Sequence, residues 1–103
     1  ADDPQDLLFD LVRDGVTDRD SLKFLVDRGA DVNATDAKGD AALHIAVRND
    51  QLLLVKRLID QGADVNLTDG QGRTPLEIAA VNENRYITNE LARYGARAAP
   101  VAE

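Results

Sequence analysis

The sequence predicts an all-α chain of stacked helical hairpins, and three observations predict it. The segment LVDRGADVNATD at 25–36 returns as LIDQGADVNLTD at 58–69, an offset of 33 residues. The same 33-residue step relates Gly39 to Gly72, Leu43 to Leu76, Ala46 to Ala79 and Gly62 to Gly95. Between the recurrences, apolar residues come back at the spacing of a helix face, and the joins are rich in Gly, Asp and Asn. A period of about 20–50 residues marks units that bury their apolar faces only against their neighbours.

In the first unit, Leu7, Leu8, Leu11 and Val12 form one stripe, and Leu22, Leu25 and Val26 form a second before Gly29, with a turn from Gly15 to Asp18. Fourteen residues separate Gly15 from Gly29, whereas twelve separate Asp50 from Gly62, so the first turn is read as two residues longer, around Val16 and Thr17. In the middle unit the stripes are Leu43, Ala46 and Val47, then Leu52, Val55, Leu58 and Ile59, with Asn49 and Asp50 as the turn. Gly62 stands where a helix ends in the left-handed conformation. The stretch 62–72 holds Asp, Asn and Gly, which bond their own backbone or accept positive φ, so an ordered, projecting hairpin turn is expected. Thr74, Pro75 and Glu77 then open a helix: Thr74 as cap, Pro75 at the first helical position, Glu77 reaching back. Arg85 and Thr88 fall where the middle unit has Leu52 and Val55, which reads as a solvent-facing end cap with Tyr86 and Tyr94 packed against it. One domain, 1–103, with units of about 3–35, 36–68 and 69–101, is the result.

A 103-residue chain with 44% hydrophobic residues suits one folded domain, whose stability depends on regular packing because a chain this short buries a modest share of its surface. The net charge of −7 is uneven: residues 1–40 hold eleven Asp against five Lys or Arg, and residues 41–103 hold eight acids against seven bases. That field repels phosphate backbones and anionic lipid, so nucleic acid and membranes are not expected as partners, and a protein with a basic surface is. Having no cysteine, the chain has neither disulfides nor thiolate metal sites. No apolar run approaches the length of a membrane span. The start Ala1-Asp2-Asp3, without Met, fits a mature end left by signal cleavage or a trimmed chain, so cytoplasmic and exported locations, the bacterial periplasm among them, both stand.

With ALHIA at 42–46, TPLEIAA at 74–80 and GADVN at 29–33 and 62–66, the chain resembles the ankyrin-repeat family over roughly residues 6–97. The resemblance implies a short solenoid of antiparallel helix pairs with projecting hairpin fingers, whose fingers and inner helices form a concave protein-binding face. Three departures are local. Ala41 and Ala42 replace the usual Thr and Pro, leaving Asp40 to cap that helix; Glu77 stands where the family favours His; and the chain after Gly95 and Ala96 runs to Arg97 without a further finger motif.

Catalytic groupings are poor. His44, the only histidine, occupies the family's structural histidine position, and Ser21, the only serine, belongs to another unit, so no triad forms. Carboxylate pairs such as Asp2 with Asp3 or Asp18 with Asp20 lack a pocket to desolvate one member, and read as caps and solvated charge. Gly70 and Gly72 are not followed by the Lys and Ser or Thr of a phosphate loop. The acceptor patterns at Asn33–Thr35 and Asn66–Thr68 coincide with the repeat's own loop motif. No cofactor or metal is expected, since carboxylates at repeat spacing do not supply a zinc geometry.

The geometry implied by the resemblance turns Thr35, Ala37, Lys38 and Asp40, then Thr68, Gly70, Gln71 and Arg73, outward on the fingers. The last turns of the inner helices add Arg13 and Asp14, Arg48 and Asn49, and Val81 and Asn82 side by side. Of these, Arg13, Asp14, Lys38, Asp40, Arg48, Asn49, Gln71, Arg73, Val81 and Asn82 are the expected partner-binding residues. The expected function is a non-catalytic, monomeric module that binds a folded protein. Its rivals are an exported bacterial inhibitor that occludes a partner enzyme and a structural fragment of a longer repeat array.

Overall fold

The computed structural model describes residues 3–96. Ala1, Asp2, Arg97 and the expected end of the third unit lie outside the described residues. Six α-helices follow one another: α1 (Pro4–Arg13), α2 (Arg19–Asp27), α3 (Ala42–Arg48), α4 (Leu52–Asp60), α5 (Pro75–Val81) and α6 (Arg85–Arg93). Helices α1, α3 and α5 pack in an inner row, and α2, α4 and α6 in an outer row behind it. Hence the molecule is elongated, 46 × 25 × 20 Å. Among the described residues no strand forms beyond one isolated antiparallel bridge between Thr35 and Ala41.

The three units end alike. The N–H groups of Gly29, Gly62 and Gly95 each donate to the carbonyl three residues back at 3.0 Å, and those of Ala30, Ala63 and Ala96 reach Leu25, Leu58 and Leu91 at 3.0 Å. This paired closure needs a left-handed residue, and the three glycines supply it with φ of +104°, +94° and +87°. The joins between paired helices are also equivalent: Gly15, Asp50 and Glu83 share a positive φ. The first join runs from 14 to 18 and the second from 49 to 51, so the two extra residues expected around Val16 and Thr17 are present.

Helix starts follow the capping chemistry in the sequence. Asp3, Asp18 and Asn84 cap α1, α2 and α6. Thr74 caps α5: its hydroxyl accepts from the Glu77 N–H at 3.3 Å, and Glu77 Oε1 accepts from the Thr74 N–H at 2.9 Å. Thr74→Ala removes one half of that reciprocal pair and is expected to lower stability by about 1 kcal/mol, read from the urea midpoint. Asp40 does not cap α3. The Ala41 N–H bonds the His44 ring instead, at 2.9 Å.

The core runs unbroken from Leu8 and Val12 through Leu43, Val47, Leu54 and Leu58 to Ile87 and Leu91, all essentially inaccessible. Several expectations are corrected. Leu7 is 36% exposed, while Phe9, outside the expected stripe, is buried. At the apolar start of α4, Leu54, outside the expected stripe, is inaccessible together with the expected Val55, while the expected Leu52 is only half-buried. Tyr86 and Tyr94 do not pack against the last unit; they are 76% and 49% exposed, because Ile87 and Leu91 hold the inward face of α6.

Amide side chains tie neighbouring units. Asn33 Nδ2 donates to the Gly62 carbonyl at 3.1 Å, its Oδ1 accepts from the Asp64 N–H at 2.7 Å, and Asn66 Nδ2 donates to the Gly95 carbonyl at 3.3 Å. These bonds give both asparagines a role in the stack, in keeping with the structural reading of the glycosylation-like pattern.

Candidate functional site

Each finger is closed by an aspartate at the same repeat position. Asp36 Oδ1 accepts from the N–H groups of Lys38 and Asp40 at 2.9 and 3.0 Å, and the Asp36 N–H donates to the Asp40 carbonyl at 2.9 Å. Asp69 repeats the pattern one unit on, with Gln71, Arg73 and the Arg73 carbonyl at 2.9, 3.0 and 2.8 Å. An aspartate side chain that mimics a backbone turn in this way orders the loop without a strand pair. The fingers also touch: a Cβ on Gly70 would lie 2.3 Å from the Lys38 carbonyl oxygen, and one on Gly39 would lie 2.6 Å from Gly70 Cα.

With Oδ1 spent on the backbone, Oδ2 of each aspartate faces an arginine. Asp36 meets Arg13 at 3.4 Å. Asp69 lies between two guanidinium groups, Arg73 at 3.2 Å and Arg48 at 3.6 Å. Arg48 also clasps Asp40 with both Nη atoms, at 3.0 and 3.2 Å. Arg48 thereby joins both fingers to the end of α3. The carboxylates lie beneath and the guanidinium groups above: Asp69 is 1% exposed as a side chain, against 39% for both Arg48 and Arg73.

The electrostatics follow from these partners. Burial alone would raise the carboxyls of Asp36 and Asp69, but the backbone N–H donors and nearby arginines outweigh it and hold both below the ordinary aspartate range. A carboxyl depressed by folding contributes stability above its unfolded value of 3.8, and that contribution is lost as pH falls through the lower folded value. Urea midpoints are therefore expected to hold down to about pH 4 and to drop below it, with a shallower drop in Asp69→Asn.

His44 is fully buried. Its Nδ1 accepts from the Ala41 N–H, so its proton sits on Nε2, which donates to the Leu67 carbonyl of the next finger at 2.7 Å. The expected structural role is thus borne out. Among the described residues, no cluster of three or more His, Cys, Asp or Glu could hold a metal ion, and no helix is long and apolar enough to cross a membrane.

The expected contact residues divide into two groups. Lys38 and Gln71 are exposed on the fingers, and Arg13, Arg48 and the 74%-exposed Val81 occupy equivalent last turns of α1, α3 and α5. Asp14, Asn49 and Asn82 follow as the exposed C-caps of those helices. Asn82 is also a tie, donating to the Arg48 carbonyl at 3.0 Å. Asp40, expected outward, is buried because Arg48 draws it in, and Arg73 is half-buried over Asp69. Sequence reasoning missed Asp36 and Asp69 as organisers of the face. Their signal was present, since each begins an Asp-x-x-Gly at the repeat offset.

Two rows of helices with ordered fingers on one edge and an open surface along the inner row define a helical-repeat solenoid. The sequence matches the family model described as ankyrin repeats in three copies over residues 8–100. The chain therefore belongs to the ankyrin-repeat family, whose repeats are generally protein-interaction modules. No curated protein matches it closely.

Proposed function

We propose that the chain is a non-catalytic, monomeric module that binds a folded protein with its finger edge and inner helices. The observation that supports this reading most is the aspartate-ordered ridge of Lys38, Arg48, Gln71 and Arg73 beside Arg13 and Val81. Asp36 and Asp69 hold the finger backbone at Lys38 and Gln71, and Asp40 and Asp69 hold the Arg48 and Arg73 side chains, along an open surface. Preorganised donors reduce the ordering cost of association, so a surface without Trp anchors can still bind by charge and shape. At contact Lys38 and the guanidinium groups meet acceptor oxygens of the partner, while basic groups elsewhere on that partner answer the acidic residues 1–40, eleven Asp against five Lys or Arg. Asp14, Asn49 and Asn82 extend the face, while Asp40 supports it from below.

Reversing Arg48 or Arg73 would set a carboxylate against buried Asp69, so a binding test needs exposed positions instead. Lys38→Glu with Gln71→Arg and Val81→Asp leaves the aspartate network intact. Affinity capture from source cells, with mass spectrometry of the captured protein, is expected to recover the partner with wild type and about tenfold less with the triple variant. Equal recovery with an unchanged circular-dichroism spectrum argues against this face.

A further inference from the structure

We propose that the gap between the two fingers takes a carboxylate, an Asp or Glu side chain that the partner inserts into it; this rests on the reading of the finger edge as the binding face. A cavity of about 270 Å³ opens there, with Lys38, Arg48, Gln71 and Arg73 among its walls and Asp40 and Asp69 at its base. The fingers are close enough to share it, since a Cβ on Gly70 would already meet the Lys38 carbonyl oxygen.

The fold does not account for the side chains that line this gap. The second finger is closed through the backbone of residue 73, whose N–H donates to Asp69 Oδ1 and whose carbonyl accepts from the Asp69 N–H. The first finger closes in the same way with an aspartate, Asp40, at that position. Either side chain serves the turn, so the repeat does not demand a guanidinium at 73. Nor does it demand one at 48, where the third unit has Val81. Arg48 spends both Nη atoms on Asp40, and Arg73 turns Nε and Nη2 to Asp69. Arg48 Nε, Arg73 Nη1, Lys38 Nζ and the Gln71 side-chain amide have no acceptor among the described residues. Four side chains around one cavity thus hold donors in reserve.

Charge selects the occupant. Three cations stand against two carboxylates, so the cavity holds one positive charge in excess, on a chain whose net charge is −7. A monoanion balances it, whereas phosphate overshoots and is opposed by Asp40 and Asp69 below. Depth separates the signs as well. Asp40 and Asp69 are buried, while Lys38 and Arg48 are exposed and Arg73 half-buried, so an entering group meets N–H donors before it meets carboxylate. A planar carboxylate has two acceptor oxygens to divide among these donors, in charge-assisted bonds of the kind guanidinium groups favour.

The probe is N-acetyl-glutamate amide, which carries one carboxylate, with N-acetyl-glutamine amide as its neutral counterpart and inorganic phosphate as the more highly charged one. Each is titrated into the full isotope-labelled chain at matched ionic strength. The glutamate probe is expected to shift the Arg48 and Arg73 Nε resonances and the Gln71 side-chain amide saturably, with a midpoint in the millimolar range. The glutamine probe is expected to leave them in place, and phosphate to bind no tighter than glutamate. Lys38→Gln removes a side chain that bonds nothing within the chain. It is expected to weaken both the glutamate probe and the capture of the partner by about threefold, with circular dichroism unchanged. No saturable shift, equal shifts from the glutamine probe, tighter binding of phosphate, or partner capture that falls with the triple variant but not with Lys38→Gln would overturn the proposal and leave the binding face standing. Capture untouched by the triple variant would remove the face itself, and the proposal with it, even where the glutamate probe binds.

Discussion

His44→Ala is expected to lower the unfolding free energy by about 3 kcal/mol, the larger of the two strongest effects that follow from the structure. The imidazole is inaccessible and satisfies two backbone groups, the Ala41 N–H at 2.9 Å and the Leu67 carbonyl at 2.7 Å. Alanine leaves a donor and an acceptor unpaired and opens a cavity between α3 and the following finger. Because Leu67 belongs to the next loop, the loss falls on a junction between units, where a linear stack holds its cooperativity. Chemical unfolding at neutral pH measures it. A loss below about 1 kcal/mol would mean that water replaces both bonds and that the ring is not a structural tie.

Gly70→Ala is expected to cost about 2–3 kcal/mol, although it adds one methyl group at an exposed loop tip. That methyl would sit 2.3 Å from the Lys38 carbonyl oxygen, which is backbone and cannot rotate away, so the two fingers must part. Gly72→Ala is the control. Its φ of +79° penalises a side chain, but a Cβ there meets nothing within 4 Å, so only the backbone penalty of about 1 kcal/mol applies. If the two variants melt together, the fingers do not rest on each other. If Gly70→Ala alone also weakens partner capture, finger spacing is part of the binding geometry.

How far the molecule could be read from its sequence depends on how local each feature is. The 33-residue step, the three closing glycines and the Thr74–Glu77 cap are written in residues close together, and the structure repeats them with matching bonds. Leu54 was harder to place because the run Leu52, Leu53, Leu54, Val55 is apolar throughout and carries no phase of its own. Its equivalence to Ile87, flanked by polar residues, is the better guide. Tyr86 was misplaced because an aromatic residue on a short helix suggests packing, while Ile87 and Leu91 already fill the inward face. The face itself was half legible. The surface positions of Arg13, Arg48 and Val81 followed from the geometry that the ankyrin resemblance implies, but burial of Asp40 did not, since it depends on Arg48 reaching eight residues back to a finger that only the tertiary fold brings near. Asp69 is read in the sequence only as part of the turn-rich stretch 62–72 and Asp36 is not singled out, because the second oxygen of each acts across elements that sequence spacing cannot place.

Long-range NOEs in a uniformly labelled sample test the central claim most directly, that three helical hairpins lie one against the next in register. The account predicts contacts from α1 to α3 and from α3 to α5, from α2 to α4 and from α4 to α6, with the His44 ring against Leu67. A set of strong NOEs joining the first unit directly to the third, or His44 seen only by its own unit, would contradict it.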